Sequence, residues 1–267
     1  MPPPEPRKRN RSRARSHAAL HTSRLPWLDT LRGTAVLAMI AYHFCFDLNY
    51  LGWLHQDLNH DFRWQLARSL ILGSFLFCVG AGLVLAEQQK TSLRSRWWRI
   101  GKITAAALLV SLGSRLMFPQ TFIWFGVLHA IVVMSLLIWG LQKAGSGPLV
   151  TAGLAIVALA AGNGLSHPWF SLPALGWIGL MPQPPNTEDY VPLLPWFGVC
   201  LAGHAFMSWH LQAKPRVGVN TAAKPTATRI SRGLHFLGQH SLPIYLLHQP
   251  VLLGGLIPLT QMLRGTH

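Results

Sequence analysis

Acidic charge is scarce in this chain: 267 residues carry 8 Asp and Glu against 23 Lys and Arg, and charged residues of every kind make up only 12%. A soluble domain devotes about a quarter of its residues to charge, so this composition argues against a soluble globular enzyme. Cysteine is also sparse. Cys45, Cys78 and Cys200 stand alone in apolar runs, with neither CxxC spacing nor an even count. That argues against a disulfide framework or a thiolate metal cluster and leaves them as small core residues. There is no internal repeat, no Gly-rich phosphate loop and no heptad array, so solenoid, P-loop and coiled-coil readings have nothing to rest on. What the chain has in abundance is apolar surface: 50% hydrophobic side chains and a mean hydropathy of +0.30.

That apolar material is gathered into stretches near the roughly 20 residues needed to cross a hydrocarbon core. Seven are expected, at 28–54, 66–86, 100–118, 122–141, 149–165, 190–211 and 242–263, and they leave no room for a separate soluble domain. The expected fold is an all-α polytopic membrane helix bundle over residues 25–267, preceded by a disordered basic cytoplasmic tail, 1–24. Lys and Arg of the loops alternate from end to end. The tail, the second loop (Lys90, Arg94, Arg96, Arg99, Lys102), the fourth (Lys143) and the sixth (Lys214, Arg216, Lys224, Arg229, Arg232) are basic. The first loop has one Arg against two Asp, and the third and fifth have no Lys or Arg. Cations near helix ends resist translocation, so the basic set belongs in the cytoplasm, with the N-terminus inside and His267 outside. The tail "PRKRNRSRARS" lacks aromatic stacking partners and a cleavage site, which favours contact with anionic headgroups over nucleic acid or a signal peptide. The outer segment "LMPQPPNTEDYVPLLP" is expected to form an ordered loop whose role is not readable.

Ionisable side chains inside a spanning helix are costly, by about 2.5–3.5 kcal/mol each on insertion scales. The first stretch, "LDTLRGTAVLAMIAYHFCFDL", has several. Arg32 and His43 are eleven positions apart, three turns plus about 20°, and share one face some 16 Å apart along the axis. Asp47 follows His43 by four, and Asp29 precedes Arg32 by three, the spacings at which side chains meet on a helix. His43 is expected near mid-membrane. Packing against a neighbour and snorkelling would explain His43 or Arg32 singly; the shared stripe favours function for the set. Arg68 and Arg115 lie near outer ends, where either snorkelling or an acidic or polar substrate group would occupy them. His129 and His204 sit among small and apolar residues and read first as packing histidines. His248 lies between Pro243 and Pro250, where a kink and a cavity lining are both open.

The segments "RLPWLDTLRGTAVLAMIAYHFCFDL" and "LGQHSLPIYLLHQPV" resemble the two ends of integral-membrane acyltransferases. With "FGVLHAI" and "PWFGVCLAGH", the chain is most similar to bacterial proteins grouped with the catalytic domain of heparan-α-glucosaminide N-acetyltransferase. The R-x10-H match is Arg32 to His43. The resemblance implies transfer of an acetyl or similar acyl group from cytoplasmic acyl-CoA, acetyl-CoA being the foremost donor, to an acceptor on the far side. It implies a multi-pass protein of the bacterial inner membrane and an envelope glycan or lipid-linked sugar as acceptor; a homodimer stays open, and neither nucleic acid nor a metal is expected. Under it, His43 is general base or, as the alternative, acyl-carrying nucleophile. Asp47 orients the imidazole, and Arg32 meets donor phosphate or carbonyl. Arg115, His248, Asp29 and Arg68 would line the substrate site.

Two other readings compete. A transporter or flippase could use the same polar stripe without chemistry, although the paired broken helices of repeated halves are absent. A haem subunit could draw axial ligands from His43, His129, His204 and His248, but no spacing selects a pair.

Overall fold

The computed structural model describes residues 25–58, 60–213 and 228–264. The basic segment 1–24, Lys214, Arg216, Lys224 and His267 lie outside the described residues. Eight α-helices occur among them: α1 Pro26–Tyr50, α2 Phe62–Gln88, α3 Leu93–Met117, α4 Val127–Lys143, α5 Pro148–Gly164, α6 Trp196–Ala213, α7 Arg229–Gln239 and α8 Ser241–Arg264. Several starts are written in the sequence. Asp61 and Ser92 cap α2 and α3 by accepting from the backbone N–H of Arg63 and Ser95, and Pro26 and Pro148 open α1 and α5 where a missing N–H is harmless.

Each of the seven expected stretches contains a helix, with three differences. α3 begins at Leu93, seven residues before its apolar run, because the Ser92 cap starts the helix and its basic first turns need no burial. Helix α4 begins at Val127 and α6 at Trp196, later than hydropathy suggests. The reason is tertiary: 121–125 is held against 187–191 by Glu188 N–H to the Thr121 carbonyl (2.8 Å), Val191 N–H to the Phe125 carbonyl (3.2 Å) and a parallel bridge between Phe125 and Tyr190. An eighth helix, α7, occupies what the apolar runs leave as loop. Its eleven residues are amphipathic, with Leu234 and Leu237 half-buried while Arg229, Arg232 and Phe236 stay exposed.

The bundle is an all-α membrane fold. By length and composition α1, α2, α3 and α8 can each cross a membrane, and α4 and α5 are shorter apolar helices of 17 residues. Leu70, Leu108, Leu112, Ile156, Val157 and Val251 are exposed on its perimeter, where a soluble protein would carry polar side chains. The core lies between α2, α4 and α6, with Leu76, Met134, Ile138, Leu201, Cys78 and Cys200 sealed from solvent and the two cysteines present as free thiols.

Close helix contact is purchased with glycine. A Cβ on Gly80 would strike the Cys200 carbonyl oxygen and one on Gly203 the Phe77 carbonyl, so α2 and α6 meet backbone to backbone. Gly33 against Leu234 and Gly238 against Asp29 press α7 onto the first half of α1 in the same way. With α7 occupying that half, α8 reaches the second half of α1. There Trp53 Nε1–H donates to Thr260 Oγ1 (2.9 Å) and an Arg264 guanidinium N–H to the Leu51 carbonyl (2.7 Å).

Candidate active site

The α1–α8 seam brings together the polar residues of the two terminal helices. His43 lies five residues past the middle of α1 and seven before its end, about 7.5 Å and about 10 Å along the axis. Its ring meets the ring of His248 at a centroid distance of 4.8 Å and an interplanar angle of 64°. One turn on, Asp47 is 1% exposed and accepts a 2.6 Å hydrogen bond at Oδ1 from the Gln249 side-chain amide. Tyr42, Phe46 and Tyr245 pack edge-on or tilted against the two imidazoles and wall the site with aromatic surface.

Hydrogen bonding fixes one proton in this cluster. The Nδ1 of His248 lies 2.7 Å from the Tyr245 carbonyl oxygen, and a carbonyl can only accept. Nδ1 therefore carries hydrogen, and the neutral ring presents a bare lone pair at Nε2. That Nε2, together with His43 Nδ1, Asp47 Oδ2 and Gln249 Oε1, is buried without a hydrogen-bond partner among the described residues. Each such atom costs about 1–3 kcal/mol of desolvation. Three of the four are acceptors, so a ligand that supplies N–H or O–H groups relieves the cost.

The expected Asp47 to His43 contact is not formed. Asp47 turns across the seam to Gln249, and no hydrogen bond joins it to the imidazole four residues earlier. Gln249 stands out in the sequence as a polar residue of the last apolar run, but its pairing with Asp47 could not be found there: the i,i+4 rule concerns one helix, and the two are 202 positions apart. The nearest signal is its place beside His248 in "LHQP".

Arg32 belongs to a different place. Eleven residues of helix keep it about 16 Å from His43. There it pairs with Asp29 at 3.4 Å and, with Gln89 and Gln239, lines a cavity of about 200 Å³ at the opposite end of α1. The shared face of Arg32 and His43 thus links two separate polar sites, not one. Asp29 also accepts a long hydrogen bond from the Gln239 amide, at 3.5 Å.

Arg68, on α2, acts electrostatically on His43, on Tyr42 and on Asp189. Asp189 sits in the outer segment that the sequence leaves unread, where Oδ2 accepts from the Val127 backbone N–H (2.9 Å) at the start of α4. A carboxylate suits a helix N-terminus. Burial nevertheless pushes the Asp189 carboxyl above the ordinary carboxylate range, opposed by the Val127 N–H and Arg68.

The remaining candidates have structural partners. An Arg115 guanidinium N–H donates to the Pro119 carbonyl (2.9 Å), and the group lies 4.8 Å over the Phe122 ring. His129 Nδ1 accepts from the Gly126 backbone N–H (3.2 Å) at the start of α4, and its other nitrogen lies 3.3 Å from Ser111 Oγ. His204 contacts Gln142 at 3.3 Å. Neither joins the seam cluster, and among the described residues no group of three His, Cys, Asp or Glu is placed to hold a metal ion.

Fold and seam together define a class: a membrane helix bundle whose two terminal helices bring paired imidazoles and a clamped carboxylate together. The family model described as "Heparan-alpha-glucosaminide N-acetyltransferase, catalytic" matches residues 24–250, a span that contains α1, the seam and the start of α8. The chain belongs to this family and is an acetyltransferase-type membrane enzyme. No curated protein and no solved structure matches it.

Proposed function

We propose that the chain is a multi-pass acyltransferase of the bacterial inner membrane that moves an acetyl group from cytoplasmic acetyl-CoA to an envelope acceptor on the opposite side. The observation that carries this reading is the donor-poor seam. Buried lone pairs at His248 Nε2, Asp47 Oδ2 and Gln249 Oε1 face no protein hydrogen, and an amine or hydroxyl of a glycan or lipid-linked sugar supplies what they lack.

In the reaction, the acceptor nitrogen or oxygen attacks the thioester carbonyl carbon, the carbon–sulfur bond breaks, and CoA leaves with the bonding pair on sulfur. An imidazole of the His43–His248 pair takes the acceptor's proton and returns a proton to the thiolate, so nothing is oxidised or reduced. His248, its tautomer set by the Tyr245 carbonyl, is prepared to accept. His43 faces it from α1, the helix whose other end carries Arg32 and Asp29. On this reading Arg32 meets the donor's phosphates from the cytoplasm, while Arg68 and Asp189 line the acceptor's approach. The alternation of basic and non-basic loops supports that polarity, with α1 starting inside.

The test is incubation of purified protein with radiolabelled acetyl-CoA and an envelope extract. The proposal expects label in a glycan or lipid-linked fraction, lost with His43→Ala in folded protein. Movement of a substrate across vesicles without consumption of acetyl-CoA would instead establish transport.

A further inference from the structure

A second cavity, open to the surface past the exposed Ser95 and Arg99, lies away from the seam and shares no residue with it. It is formed where α2 ends, α3 begins and α4 ends, and encloses about 90 Å³. That volume admits a group the size of one phosphate.

Its polar lining is cationic and hydroxylic: Arg96 and Arg99 with Thr91, Ser95 and Ser135. Ser95 and Arg96 belong to the first turns of the 25-residue α3, whose dipole favours an anion; their own backbone N–H groups are taken by the Ser92 hydroxyl (3.2 Å) and the Ser92 carbonyl (3.1 Å), so an anion would meet the side chains. Arg96 is held in place by neutral partners, its Nε–H donating to Thr91 Oγ1 (3.1 Å) and Nη1–H to Gln142 Oε1 (3.5 Å). The Trp139 ring supports it from below, with the Arg96 guanidinium 6.0 Å and the Lys143 ammonium 5.6 Å from the ring centroid. Arg96, Arg99 and Lys143 have no ion-pair partner among the described residues.

An independent sign of a ligand is Ser135. A serine inside a helix ordinarily turns its hydroxyl onto the carbonyl four residues back. Ser135 is 4% exposed and lines the cavity, yet its Oγ has no hydrogen-bond partner among the described residues. Beyond the polar group the wall is apolar, made by Leu83, Ile100 and Ile103.

The geometry points to a phosphate-ester site: Arg96 and Arg99 hold one phosphate group of an amphiphile, Ser135 donates its free hydroxyl to it, and the apolar remainder lies along Leu83 and Ile103. Guanidinium groups suit this task because their forked N–H groups match phosphate oxygens. An anionic phospholipid headgroup and the phosphates of coenzyme A share this chemistry. Basic pockets between membrane helices bind such headgroups.

The test uses the full chain in detergent, delipidated, with the probes offered separately: phosphatidylglycerol, phosphatidylcholine and coenzyme A. Bound lipid is read by native mass spectrometry, and stabilisation by unfolding temperature and tryptophan fluorescence. Wild type is expected to bind phosphatidylglycerol or coenzyme A, with Arg96→Gln/Arg99→Gln binding at least tenfold more weakly and Ser135→Ala several-fold more weakly. Preference for phosphatidylglycerol assigns the site to lipid, and preference for coenzyme A assigns it to the donor. Should the double variant fail to fold, Ser135→Val, which fills the cavity without changing charge, must still lower binding. Equal binding of every probe by wild type and variants, phosphatidylcholine included, or no binding by wild type, overturns the assignment. No arm requires acyl transfer, so the result stands apart from that of the catalytic test.

Discussion

The Asp47–Gln249 clamp makes a quantitative prediction. Replacing Gln249 with Leu removes the hydrogen bond at Asp47 Oδ1 and leaves a 1% exposed carboxylate with neither oxygen bonded to protein. A hydrogen bond to a charged group is worth about 1.5–3 kcal/mol, and stripping a buried charge of its partner costs about 3–5 kcal/mol. Gln249→Leu is therefore expected to destabilise the chain by about 3 kcal/mol. Asp47→Leu leaves only a neutral amide unpaired and is expected to cost about 1–3 kcal/mol. Removing both partners leaves neither charge nor amide stranded, so Asp47→Leu/Gln249→Leu should be more stable than Gln249→Leu alone. The assay is a double-mutant cycle on the unfolding temperature in one detergent, followed by tryptophan fluorescence. A double variant whose loss equals the sum of the two singles would show that the pair is not coupled, and the argument about the seam would be wrong.

Other expectations concern the site and the packing around it. His43→Ala and His248→Ala should each lower acyl transfer by about 10²–10⁴-fold, the range for a lost general acid or base, with unchanged yield of folded protein; rates from labelled acetyl-CoA measure this. Arg115→Gln should leave transfer within about threefold, because Arg115 serves the Pro119 carbonyl and the Phe122 ring, and lower stability by about 1 kcal/mol in a melting experiment. Gly203→Ala should destabilise by about 1–3 kcal/mol, since the new methyl meets the Phe77 carbonyl across a backbone contact that cannot yield, and the loss is read as a lower unfolding temperature. Cys45 is half-buried, whereas Cys78 and Cys200 are sealed, so a thiol reagent should modify Cys45 first in folded protein, with mass spectrometry locating the adduct.

Hydropathy made the long helices legible because each must be apolar over most of its length. It could not place α7, whose eleven residues include Arg229 and Arg232 and which exists because Gly33 and Gly238 let it press onto α1. Nor could it see that 121–125 is drawn out of helix by 187–191, a pairing across about 65 residues. In the site, His43, Asp47 and His248 stood out because titratable groups in apolar runs are conspicuous. Their arrangement did not. Helical spacing put Asp47 within reach of His43, but the seam offered Gln249 a better approach, and only tertiary packing decides between them. For Arg32 the roughly 16 Å to His43 followed from the helical rise, but its neighbours Gln89 and Gln239, which come from other elements, did not. Asp189 was hidden because one more acid in a polar, proline-rich segment has no contrast against its surroundings.

The most direct measurement is acyl transfer from radiolabelled acetyl-CoA by purified, folded protein, with wild type, His43→Ala and His248→Ala run in parallel on an envelope extract. The account predicts label on a glycan or lipid-linked product from wild type and near-complete loss in both variants. Transfer that persists undiminished in both would contradict a reaction centred on the two imidazoles.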